Sequence, residues 1–167
     1  MLEELYEYPL EPSVVHLFSQ AENICLERQH AEIHLAHLAL CITQKQTLAG
    51  ALMGSTKKPK IINELAKRAR NLLDQLTVDC QLWIQQTLDH EVHDVLQKAL
   101  VIAQEWSASA VGLNHFMLAL LQKDEFNTFL PLDERAWLVA EGEIRERLKT
   151  HQRMILTHTP TLDVHSD

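Results

Sequence analysis

The sequence predicts an all-α protein, a pseudo-twofold helical bundle built from two helix–connector–helix repeats. Three observations predict it. Apolar residues recur at helical spacing along most of the chain. Glycine and proline are scarce, 4 and 5 in 167 residues, too few for the many turns of a sandwich or barrel. The sequence also aligns with itself when shifted by 78 positions, so that residues 14–42 overlay residues 92–120 without a gap.

Each repeat reads the same way. Leu17, Ala21, Ile24, Cys25 and Leu26 form the apolar pattern of a first helix; Val95, Ala99, Ile102 and Ala103 form it in the second copy. The small pairs Ala21 and Cys25, and Ala99 and Ala103, stand one turn apart and let another helix approach closely. A short polar stretch follows (28–30 and 107–109), then one β-branched residue, Ile33 or Val111. The second helix of each copy is apolar nearly all round, the pattern of a buried helix. His37 overlays His115, which favours a shared structural role, such as a hydrogen bond near the start of that helix.

The remaining segments extend this plan. Residues 47–53 continue the first copy as a short helix, and residues 54–58 form a loop. Pro59 suits the first turn of a helix reaching about Leu76. Residues 77–84 read as the inter-repeat connector. Residues 126–130 parallel the short helix of copy one, and Asp133 can cap a last helix through about His151. The expected organisation is an N-terminal extension (1–12), a double-repeat domain (13–151, with repeats of about 13–76 and 89–151), and a flexible tail or linker (152–167).

Charge and composition exclude several functions. The formal net charge is −8, with 15 basic and 23 acidic side chains, which disfavours a nucleic acid or an anionic membrane as partner. The longest uninterrupted apolar run, 116–121, is far too short to span a bilayer. Three cysteines, Cys25, Cys41 and Cys80, make an odd count with no C-x-x-C pair, so a reducing, cytoplasmic setting is expected. No phosphate loop is present: residues 50–56 have the wrong glycine spacing and no lysine after Gly54.

The doubled segments resemble the Clp N-terminal repeat. The resemblance rests on Ile33-His34-Leu35-Ala36-His37-Leu38-Ala39-Leu40 and on Val111-Gly112-Leu113-Asn114-His115-Phe116-Met117-Leu118-Ala119-Leu120, and covers roughly residues 13–150. The acidic residue usual before the histidine is replaced by Ala36 and Asn114. The resemblance implies a pseudo-twofold α-bundle at the front of a ring-forming ATPase that unfolds proteins. It implies partners too: unfolded or tagged protein substrates, an adaptor, and the ATPase ring itself if the chain is part of a longer one. It implies no cofactor. Thr159-Pro160-Thr161-Leu162-Asp163 resembles the linker that leads into an ATPase module. By alignment with the family's groove, the candidate protein-binding residues are Val14, Phe18, Lys98, Ile102 and Asn114. Trp106 joins them as a binding anchor, because its counterpart in copy one is Arg28 and the symmetric core does not require an aromatic there.

Chemical readings compete with this one. His30, His34 and His37, and His90 with His93, have spacings that helices can use to share a metal. The connector between His30 and His34 breaks that geometry, so structural histidines are the expectation and a histidine-dependent metalloenzyme the weaker alternative. Cys25 and Cys41 lie on apolar faces, and the carboxylate pairs sit on ordinary solvated helices. Lys57, Lys58, Lys60, Lys67, Arg68 and Arg70, opposed by Glu64, read as a solvated basic face or a docking patch for an acidic partner. Trp83, Trp137, Phe126 and Phe129 are the other large aromatics. A stand-alone adaptor or decoy for a Clp machine remains the second functional reading.

Overall fold

Backbone at positive φ marks the same point in both halves of the chain: Gln29 at 58° and Ser107 at 59°. In this computed structural model, which describes residues 2–79 and 86–158 (155–158 as backbone), each closes the first helix of its repeat. These helices are α1, Pro12–Glu27, and α5, His90–Glu105. Both end in a Schellman motif. His30 N–H donates to Cys25 O and Ala108 N–H to Ala103 O, each at 2.9 Å, while Gln29 and Ser107 donate to Leu26 and Gln104.

The chain then extends for a few residues and crosses to the other half. Strand β1, Glu32–Ile33, pairs in parallel with β2, Thr87–Leu88, placing Ile33 opposite Leu88. An isolated parallel bridge joins Leu10 to Val111. The two bridges are related by the same shift of 78. The connector of each repeat therefore pairs with the segment that precedes the first helix of the other. This accounts for the single β-branched residue in each connector, since Ile33 and Val111 are the bridge residues and both are fully buried.

The buried helices follow at once: α2, Leu35–Thr43, and α6, Leu113–Leu121. Every residue from 35 to 42 is buried, as is every residue from 115 to 121. Helix α2 packs on α1 and on α4, Pro59–Asp74; α6 packs on α5 and on α8, Glu134–His158. The halves meet through α3, Gln46–Met53, against α6 and α8, and through Phe18, whose ring stands edge-on to Phe116 with centroids 5.4 Å apart. Gly54, at φ 58°, opens the turn after α3; a Cβ there would run into the Glu143 carboxylate, which accepts from Ser55 N–H at 2.8 Å.

Several elements differ from the sequence expectation. Leu26 is 43% exposed, because the buried stripe of α1 is Val14, Leu17, Phe18, Ala21, Ile24 and Cys25, and position 26 turns away from it. Helix α4 starts at Pro59 as expected but ends at Asp74. The short helix α7 is Asp124–Asn127, starting two residues ahead of the expected 126–130, and buries Phe126 against Phe129. Helix α8 continues past His151 to His158. The N-terminal segment is packed as well. It forms a 3-10 turn, Glu3–Glu7, and buries Leu2 and Leu5. Glu4 accepts from Leu88 N–H at 2.7 Å and pairs with His93 at 2.7 Å; Tyr8 OH donates to the other nitrogen of that ring, at 3.2 Å. Cys80, Trp83 and most of the inter-repeat connector lie outside the described residues, as does the 159–163 segment.

The equivalent histidines do the same structural work. His34 N–H donates to His37 Nδ1 at 2.9 Å, and Gly112 N–H donates to His115 Nδ1 at 2.8 Å, so each ring satisfies an amide at the start of its buried helix. In His37 this leaves the proton on Nε2, which donates to His30 Nδ1 at 2.9 Å inside the core. Burial, reinforced by neighbouring His30 and His34, pushes His37 down to about 3; burial also lowers His30 and His115.

Two predictions follow from this packing. Ala21 and Ala99 are both fully buried, so Ala21→Leu and Ala99→Leu should each cost about 1–3 kcal/mol in denaturant unfolding, with similar losses at the two sites. The histidines set the acid limb. The folded chain keeps His37 neutral while the unfolded chain protonates it below its ordinary value, so its contribution is complete above about pH 6.5 and is lost as pH falls toward about 3. Between about pH 7.5 and about pH 5, His37 alone should remove about 2 kcal/mol. His37→Gln keeps an acceptor at the third helical position and should flatten that limb; an unchanged pH slope would refute the assignment.

Candidate protein-binding site

Helix α5 buries Val92, Val95, Leu96, Ala99, Ile102 and Ala103 along one stripe. Its outward face carries Val101, half exposed at 50%, between Lys98 and Glu105. These residues border a shallow depression of about 100 Å³, floored by Ile102, Leu118 and half-buried Trp106, with Gln122 and Arg145 on the far wall. The floor is apolar and the rim mixes both signs of charge. Such a surface takes a short apolar side chain flanked by polar or charged groups. Trp106 reaches this place because the first helix ends there: it is the C-cap of α5, so its ring lies beside the Schellman turn.

The six expected residues separate into three places. Lys98, Ile102 and Trp106 converge on this depression. Asn114 borders a different one, of about 270 Å³, with Glu11, His115 and His151. Its side-chain oxygen accepts from Arg147 Nε at 3.0 Å, and the same guanidinium reaches Ala51 O at 2.5 Å, tying α6 to α8 and α3. Val14 and Phe18 show no exposed surface, because both continue the buried stripe of α1. Phe18 lines a cavity of about 150 Å³ together with Leu2, Leu5 and Val15. Val101 was missing from the expected set. Its signal in the sequence is an apolar residue standing off the buried stripe of its own helix.

Several of the other sequence candidates have structural partners. Trp137 Nε1 donates to Leu121 O at 3.0 Å and to Asn127 Oδ1 at 3.1 Å. Arg68 pairs with Glu64 at 2.9 Å, while Lys60, Lys67 and Arg70 stand exposed on α4 and Lys58 just ahead of it. His30 is bonded to His37, and His93 to Glu4 and Tyr8. Burial pushes the thiols of Cys25 and Cys41 up to about 12, so neither is a nucleophile at neutral pH. Among the described residues, the metal-capable group of His and carboxylate side chains is Glu32, His34 and Asp89. No helix among the described residues is long and apolar enough to cross a membrane.

Comparison with known proteins gives a consistent picture. The family model for the Clp repeat (R) N-terminal domain matches residues 10–133. The Hsp104 N-terminal domain from Candida albicans superposes with a TM-score of 0.68 at 14% identity, covering 82% of this chain and 91% of that one. The N-domain of ClpV from Vibrio cholerae gives 0.60 at 20% identity, covering 89% and 86%. A ClpV N-domain in complex with a VipB peptide gives 0.54 at 20% identity, covering 89% and 88%. No curated protein matches the chain in sequence. The family model spans most of the chain, and its repeat is present twice as the structure's reciprocal halves; the chain belongs to the Clp repeat N-terminal domain family.

Proposed function

We propose that the chain is a protein-binding module: the substrate- or adaptor-recognition N-domain of a Clp-type unfoldase or disaggregase ATPase, working in a reducing, cytoplasmic setting. The observation that carries the reading is the depression on α5, an apolar floor of Ile102, Leu118 and Trp106 with Val101 exposed at its edge, in a chain of this family. A similarly folded ClpV N-domain in complex with a peptide supports a protein as the ligand class. Lys98, Ile102 and Trp106 are the contact residues of this proposal, with Val101 added. Val14 and Phe18 are fully buried and enter it only if the packing around α1 opens, and Asn114 only if it leaves Arg147.

Binding here is a matter of apolar area, at about 25 cal/mol per Å² before the entropy of association is subtracted. A patch this small holds one or two anchoring side chains, and weak binding suits a module that hands its cargo to a motor. The basic face of α4 is available for the ring or for an acidic partner. The link to a motor has its own test: the reading frame should continue past Asp167 into a phosphate-loop motif, and a stop codon there would leave the stand-alone adaptor.

The binding site is tested with paired variants. Val101→Asp with Trp106→Ser should keep the helical circular dichroism signal and weaken binding of a labelled unfolded model protein, read by fluorescence anisotropy, about tenfold or more, the effect of losing a contact anchor. Phe18→Asp should instead unfold the domain, losing several kcal/mol, because it buries a carboxylate against Phe116. A folded double variant with undiminished binding would overturn the α5 site.

A further inference from the structure

We infer that Glu32, His34 and Asp89 form a binding site for one zinc ion that clips the two repeats together at their crossover. The carboxylate and imidazole ligand atoms of these three residues lie within 4.8 Å of one another. The crossover puts them there. Glu32 and His34 are two apart on an extended segment and so point to one side. The parallel pairing of Ile33 with Leu88, and the hydrogen bond from Asp89 N–H to Ile33 O at 2.9 Å, set Asp89 beside His34 on that side.

The distances and partners suit an ion. His34 Nδ1 and Asp89 Oδ2 are 3.7 Å apart, beyond a hydrogen bond and close to the separation of about 3.4 Å between two donors of a tetrahedral zinc. Asp89 is only 8% exposed, and its carboxylate has two histidines and the Glu91 amide as neighbours. Among the described residues no lysine or arginine is paired with Asp89 or Glu32. His90, 82% exposed on the first turn of α5 and 3.3 Å from Asp89, can swing in as a fourth donor. Imidazole with carboxylates suits zinc better than calcium or magnesium, which prefer all-oxygen cages.

The other crossover shows that the fold does not need these groups. The positions equivalent to Glu32, His34, Asp89 and His90 are Ala110, Gly112, Glu11 and Pro12. The bridge there, Leu10 to Val111, forms without a ligand set. Glu11 keeps a carboxylate at the position of Asp89, and the twin crossover lacks the other two or three donors, Glu32, His34 and His90.

The test uses the full chain, free of affinity tags and stripped with chelator. Titration with zinc chloride against a fluorescent competitor should show one equivalent bound, and zinc should raise the melting temperature. Glu32→Gln and Asp89→Asn should each weaken binding about tenfold or more and abolish the thermal shift; asparagine still caps α5, so the fold is retained. Glu11→Gln, at the twin crossover, should leave binding unchanged. No bound equivalent in the wild type, or equal affinity in the Glu32 and Asp89 variants, overturns the site, the latter by assigning the ion to other histidines.

Discussion

The structure depends on two reciprocal parallel bridges, Ile33 with Leu88 and Leu10 with Val111. Each takes a connector from one repeat and an incoming segment from the other, so neither repeat completes its backbone hydrogen bonding alone. The bridges also set direction. The chain leaves each at a residue that starts a helix lying wholly in the core, and a helix apolar on every face needs neighbours on every face. Helices α1 and α4 surround α2; α5 and α8 surround α6. Without the crossings, the most apolar helices would have an open side.

Among the described residues, polar side chains inside this core are few and each has a hydrogen-bond partner. The amides that begin α2 and α6 are the costly ones, since a buried N–H without an acceptor loses its hydration and receives nothing back. His37 and His115 accept from them in neutral form. Cys25 Sγ donates to the carbonyls of His30 and Glu32, where the chain turns from helix to strand. A carboxylate could accept the same amide, but in a buried place it would carry an uncompensated charge, whereas neutral imidazole carries none. The core therefore couples its stability to pH through buried imidazoles.

The symmetry that builds the core leaves the surface free to differ. Trp106 and Arg28 occupy equivalent helix ends; Arg28 pairs with Asp74 at 2.9 Å, while Trp106 floors the depression on α5. The N-terminal segment adds a second asymmetry. Leu2 and Leu5 are buried and border the same cavity as Phe18, and Glu4 fastens the segment to the start of the second repeat through Leu88 and His93.

The sequence by itself determined the repeat, its register of 78, the helical class and the pairing of His37 with His115, because helical periodicity and small-residue spacing are local and each copy corroborates the other. Resemblance to the family's groove named Lys98 and Ile102, and the contrast with Arg28 named Trp106; that the three border one depression is a product of the fold. Tertiary structure alone decided which faces are covered. Val14 and Phe18 have the same helical phase whether a groove or a core lies above them, and the phase of one helix does not say what packs on it. For Phe18 the tertiary neighbour is Phe116, from the other repeat. Asn114 and Arg147 are distant in sequence and meet only because α8 crosses α6. Glu32 and Asp89 are brought to one side of the crossover by a parallel bridge of two residues, a pairing too short to leave a pattern in the chain.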